Sequence, residues 1–107
     1  MTDAGAGVPV VVALPADIDL VNVTLAYSEL DAAISSGASA VIADFSATVF
    51  CDLVGIRRLL ALHQLAAARQ IELRLVIPPG GPVRRLLHLI EPAQPVRISS
   101  SLGPAGS

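Results

Sequence analysis

The sequence predicts an α/β domain built on a largely parallel sheet. Short apolar runs of strand character alternate with stretches of helical periodicity, and strand, helix, strand in succession implies right-handed crossovers between parallel strands. With 107 residues there is room for one core and no second domain of useful size. Hydrophobic residues make up 53% and charged ones 15%, at a mean hydropathy of +0.69, far from the composition of chains that stay unfolded.

The elements follow in order. Residues 1–7 are Gly/Ala-rich and are expected as a flexible N-terminus, 8–98 as the domain, and 99–107, SSSLGPAGS, as a flexible C-terminal tail. Val10 to Leu14, a continuous apolar run bounded by Pro9 and Pro15, reads as a strand covered on both faces. From Asn22 or Thr24 to Ser35, Leu25, Ala26, Leu30, Ala33 and Ile34 recur at helical spacing, with Glu29 and Asp31 left to water and Gly37 as the stop. Ala40 to Phe45 is a second buried strand, and Thr48 to Cys51 runs extended toward Asp52, which stands where a helix N-cap belongs.

Leu53 to Arg69 is a helix whose apolar residues, Ile56, Leu59, Leu60, Leu62 and Ala66, spread over more than one face, as in a helix packed on several sides. Ile71 to Ile77 has strand composition and is broken by Pro78-Pro79-Gly80-Gly81. Pro82 suits the first turn of a helix carrying Val83, Leu86, Leu87 and Ile90, which Pro92 and Pro95 end; Val96-Arg97-Ile98 is a last short strand.

Composition excludes several function classes. No stretch approaches the roughly 20 apolar residues of a membrane span, and the start, MTDAGAGVPV, lacks a basic signal region, so a cytoplasmic location without membrane insertion is expected. A net charge of −2 and three aromatic residues provide no footprint for nucleic acid. Cys51 stands alone, which rules out an intramolecular disulfide and a cysteine-framed zinc site. All basic residues are Arg, from Arg57 onward, whereas Asp3, Asp17, Asp19, Glu29, Asp31, Asp44 and Asp52 precede them. That asymmetry reads either as two faces of opposite sign that orient a protein partner or as plain helix solvation.

Catalytic signatures are missing. With no Lys there is no phosphate-binding P-loop, no G-x-S-x-G elbow is present, and Cys51 reads as a buried structural thiol. His63 and His88 lie on separate helices without metal-ligand spacing. Asp17, Asp19, Asp44 and Asp52 fall at strand ends, where an open α/β sheet binds ligands; convergent carboxylates there would hold a metal or accept phosphate, but turn and N-cap roles account for them equally. No cofactor, metal or catalytic residue is expected.

Five blocks in order resemble the STAS domain of anti-sigma-factor antagonists: Ala16-Asp17-Ile18-Asp19-Leu20, Val41-Ile42-Ala43-Asp44-Phe45-Ser46, Val49-Phe50-Cys51-Asp52-Leu53-Val54-Gly55-Ile56, Leu73-Arg74-Leu75-Val76 and Val83-Arg84-Arg85-Leu86-Leu87. The resemblance spans Val10 to Ile98. It implies a small STAS-like domain, a mostly parallel or mixed sheet of four to five strands with helices packed on one side, and binding rather than catalysis. In that family an antagonist captures a serine-kinase-type anti-sigma factor and releases the sigma factor, and the kinase reverses this by phosphorylating a Ser in a D-S-S-G turn.

Here that turn is Asp52-Leu53-Val54-Gly55, and the phospho-acceptor position is Val54, which has no hydroxyl. A phosphate would add about two negative charges beside Asp52; Val54 fixes the position in an uncharged, apolar state. Ser46 and Thr48 remain as alternative acceptors. The resemblance thus implies a regulatory interaction module binding without phospho-control through Asp17, Asp19, Asp52, Leu53, Val54, Gly55, Arg57 and Arg58. The family's usual strand before Val10 and its terminal helix have no counterpart read here, which would expose apolar surface for a homodimer or a partner. An accessory subunit of a membrane lipid-transport ATPase, or a scaffold in a sensory assembly, are the alternatives.

Overall fold

Alternation of apolar and polar residues along the strands decides which face of the sheet is covered. A computed structural model describes residues 9–89 and 96–101. Along them run β1 (Val10–Ala13), β2 (Asp17–Ile18), α1 (Val23–Ala26), α2 (Ser28–Ser35), β3 (Ala40–Asp44), β4 (Phe50–Cys51), α3 (Leu53–Ala68), β5 (Glu72–Val76), α4 (Pro82–Leu89) and β6 (Arg97–Ser99). The main sheet has four strands in the order β1-β3-β5-β6, every neighbouring pair parallel. β2 and β4 form a separate parallel ribbon, Asp17 opposite Phe50 and Ile18 opposite Cys51. The α/β class and the parallel sheet expected from the sequence are therefore present.

Val12, Val41, Ala43, Leu73 and Leu75 point to one face and are buried against Leu30, Ile34, Ile56, Leu59, Leu62, Val83 and Leu87 of the helices. The opposite face carries the row Val11, Ile42, Arg74 and Arg97, none of them buried. β1 is thus covered on one face only, contrary to the continuous apolar run that suggested two: every second residue of Val10–Ala13 has no helix above it. On the open face Glu72 meets Arg74 at 3.5 Å and Arg97 at 3.3 Å, exposed pairs that contribute little on their own.

The helix expected over residues 22 or 24 to 35 is broken in two at Tyr27. Its backbone leaves the helical region at φ −100° and ψ 6°, and its ring sinks into the core without any exposed surface. Leu25, counted among the core positions of a continuous helix, consequently points to solvent. Past α2, Gly37 takes φ 90°, where L side chains are strained, as a helix stop requires.

α3 buries Ile56, Leu59, Leu62, His63 and Ala66 at three- and four-residue spacing, with Leu60 and Leu65 half-covered at the margins. It ends in a Schellman closure: the Ile71 N–H donates to the Ala66 carbonyl at 2.8 Å and the Gln70 N–H to the Ala67 carbonyl at 3.0 Å, with Gln70 at φ 59°. Pro82 opens α4, where its missing N–H costs nothing, and Val83 and Leu87 form the buried stripe. The expected end of that helix at Pro92 and Pro95 lies outside the described residues, as do residues 1–7. β6 runs to Ser99, one residue past the boundary read from the sequence, because the Ser99 carbonyl accepts the Ile77 N–H at 2.8 Å. Among the described residues no helix is long and apolar enough to cross a membrane.

Candidate functional site

The β2–β4 ribbon gathers three segments at one end of the molecule. The Ala16 carbonyl accepts the Val49 and Phe50 N–H groups at 2.8 and 3.1 Å, and the Ile18 carbonyl accepts the Asp52 N–H at 3.1 Å. Asp52 then does two things with one carboxylate. Oδ1 accepts the Gly55 N–H at 3.0 Å and caps α3, satisfying an amide that the helix itself leaves unpaired. Oδ2 accepts the Leu20 N–H at 3.2 Å, so the loop after β2 is tied to the turn after β4.

The loop is closed from within. Asp19 Oδ1 accepts the N–H groups of Val21 and Asn22 at 2.9 and 3.0 Å, Asn22 Oδ1 accepts the Asp19 N–H at 2.8 Å, and Asn22 Nδ2 donates to the Asp17 carbonyl at 2.7 Å. These carboxylates are turn and cap elements, and among the described residues no group of three or more His, Cys, Asp or Glu side chains is placed to hold a metal. Asp44 likewise accepts the Ser46 N–H at 2.9 Å and its hydroxyl at 2.6 Å.

With the polar groups engaged, the side chains presented to solvent are apolar. Val21 is 95% exposed and Val49 72%; Leu20, Leu25, Phe50 and Leu53 are exposed as well, and Val54 stands at 37%. Arg57, four residues from Leu53 and three from Val54, lies on the same helical surface, exposed. Arg58, also exposed, reaches Asp31 on α2 at 3.8 Å. The exposed side chains of these connected segments are thus mainly apolar, with the exposed Asp17 on β2 and the exposed Arg57 on the first turns of α3 among them.

Gly55, included with the presented residues from the sequence, is buried instead. A Cβ there would stand 2.8 Å from both Cys51 Sγ and Ile18 Cγ2, so glycine lets α3 close on the ribbon. Beneath it Tyr27 Oη donates to the Gly55 carbonyl at 3.0 Å. Burial, with a smaller contribution from the Asp52 charge, pushes the Cys51 thiol up to about 11, so the thiol stays protonated and unreactive at neutral pH. Of the two hydroxyls near the ribbon, Ser46 is exposed, whereas Thr48 is buried and its Oγ1 donates to the Pro15 carbonyl at 2.8 Å. A kinase would have to pull the loop open to reach Thr48, and Ser46 alone is accessible.

Sequence reasoning missed Val21, Leu25, Val49 and Phe50 as presented residues. The signal for Phe50 was there: if Cys51 faces inward on a strand, its neighbour faces out. For Leu25 it was hidden by a helical periodicity that the structure interrupts, and Val21 lies in the loop just before that helix. The family model described as STAS domain matches residues 2–105. No curated protein matches the chain. A match over nearly the whole length, on a parallel α/β sheet flanked by helices, makes this chain a member of the STAS-domain family.

Proposed function

We propose that the chain is a non-enzymatic regulatory module of the anti-sigma-factor antagonist type, cytoplasmic, which binds a serine-kinase-type anti-sigma factor constitutively through the platform around the Asp52–Gly55 turn. One observation carries the reading: the switch position of the turn is Val54, partly exposed amid other exposed apolar side chains, where a phosphorylatable hydroxyl would make binding reversible. Exposed apolar groups on connected loops are what protein interfaces bury, and an uncharged switch position removes the electrostatic means of dismissing the partner. Asp17, Asp19, Asp52 and Arg57 supply the polar rim that fixes orientation.

The test is recovery of the tagged protein from native lysate with membranes included, followed by mass spectrometry of what it holds. A kinase-type anti-sigma factor whose capture is lost in Val54→Asp supports the reading. Capture of permease and ATPase subunits, or of further copies of this chain alone, replaces it with the transport-accessory or scaffold role.

A further inference from the structure

Beside the platform, the chain leaving β1 and the junction of α1 and α2 flank an open groove of about 280 Å3, whose walls include Leu14, Pro15, Asn22, Leu25, Ala26 and Glu29. Positions 22–29 lie well inside the described chain. Leu14 and Pro15 follow the end of β1 remote from Pro9, where the undescribed N-terminal residues join. Leu25 belongs to both surfaces, exposed on the platform and lining the groove.

These walls are apolar except at two side chains, and one of the two has its bonds already made. Asn22 Oδ1 accepts the Asp19 N–H, and Asn22 Nδ2 donates to the Asp17 carbonyl. The Glu29 carboxylate is exposed and accepts no hydrogen bond from a described residue. Nor does any side chain of the sequence supply its counter-charge. All seven Arg and both His lie among the described residues, there is no Lys, and none of the ion pairs involves Glu29. Arg58 turns instead to Asp31, on the same helix as Glu29, at 3.8 Å.

We propose that this groove takes an arginine side chain of the protein that docks on the platform, its methylene stem along Leu14, Pro15 and Leu25 and its guanidinium on the Glu29 carboxylate. The occupant is thus part of the interface proposed above, and its identity rests on that reading. An apolar side chain would cover the walls but strip water from Glu29 without replacing its bonds, and an acidic one would meet a like charge. A long cationic side chain lays its stem on apolar surface while its head stays at the wet rim. Arg suits the site better than Lys because its planar fork pairs with both carboxylate oxygens. A cavity of about 150 Å3 takes benzene, so one such side chain has room here.

The experiment is a two-dimensional NMR titration of the full chain with n-butylguanidinium, which carries both stem and fork. Its controls are guanidinium without the stem, n-pentanol without the charge and n-butylammonium without the fork. Butylguanidinium at tens of millimolar, the weak range of a single exposed ion pair, is expected to shift the amides of Ala13, Leu14 and residues 22–29, and each control to shift them less. Glu29→Gln, isosteric at an exposed side chain, should cut those shifts to about a third or less with the circular dichroism unchanged. In the capture experiment above, Glu29→Arg should deplete the same partner that Val54→Asp loses. The proposal is overturned if the butylguanidinium shifts fall elsewhere or survive Glu29→Gln, if a control shifts these amides as much, or if Glu29→Arg captures the partner at the wild-type level while Val54→Asp does not. The titration needs no partner, so its failure strikes the groove alone, whereas capture insensitive to Val54→Asp strikes the platform.

Discussion

The Tyr27 hydroxyl donates to the Gly55 carbonyl at 3.0 Å, fastening the break between α1 and α2 to the first turn of α3. Tyr27→Phe keeps the ring and deletes that bond. Stability to urea is expected to fall by about 1 kcal/mol, with the fold retained in far-UV circular dichroism. A loss indistinguishable from zero would mean that the ring alone holds the junction.

Gly55→Ala should be the more damaging change. Its Cβ would come within 2.8 Å of Cys51 Sγ and Ile18 Cγ2, and overpacking of this kind costs about 1–3 kcal/mol. Removing the sulfur relieves one of the two clashes. Cys51→Ala is therefore expected to cost less on the Gly55→Ala background than alone, a coupling that a double-mutant cycle in urea would read.

Gln70 offers the opposite sign. It closes α3 at φ 59°, a conformation that L side chains adopt at a cost of about 1–2 kcal/mol and glycine adopts freely. After the extra chain entropy glycine brings to the unfolded state, Gln70→Gly should stabilise the protein by about 0.5 kcal/mol. An unchanged or lower melting temperature would count against this account of the cap.

Alkaline pH should destabilise the fold in two stages. Burial, then the Asp52 charge, holds the folded Cys51 thiol at about 11 against an ordinary 9.0. Between those values the folded state keeps a proton that the unfolded chain releases, so stability falls as pH rises through the window. Tyr27 is also raised from its ordinary 10.0, by burial first and then by Cys51 and Asp52, and steepens the decline above that value. Urea midpoints measured from pH 8 upward should show both stages; Cys51→Ala should remove the first and Tyr27→Phe the second.

Two substitutions at one position test the platform. Val54→Asp places a fixed charge among the exposed apolar groups and is expected to weaken partner binding at least tenfold by calorimetry without shifting the urea midpoint. If the partner is the serine-kinase-type anti-sigma factor proposed above, Val54→Ser should turn the chain into its substrate, visible as a mass increase of one phosphate. Unchanged affinity in the first variant would place the interface elsewhere.

Much of this architecture was readable in advance because its signals are local. Asp52 as N-cap, Pro82 at the start of α4, Gly37 after α2 and the strand runs at β3 and β5 each follow from one residue's conformational preference or a short pattern. What the sequence hid is tertiary. Tyr27 leaves its helix because a buried ring and a carbonyl 28 residues later reward it, and nothing nearby in the chain announces that. The bare face of β1 depends on what fails to cover Val11, and the inward role of Gly55 depends on Ile18, far upstream. The platform was half legible: its acidic and turn residues follow from motif, whereas Val21 and Val49 become visible only once the ribbon brings their loops together.

The two bonds of the Asp52 carboxylate, to the Leu20 and Gly55 amides, bear on the thermodynamics of docking. Loops that must order on binding forfeit conformational entropy, and each rotamer-rich side chain immobilised costs about 0.5–1.5 kcal/mol. Here the backbone that carries Leu20, Val21, Leu53 and Val54 is already cross-tied before a partner arrives. The conformational part of the association penalty should therefore come from side chains rather than backbone, and the heat-capacity change should track the apolar area covered rather than any folding of the loops.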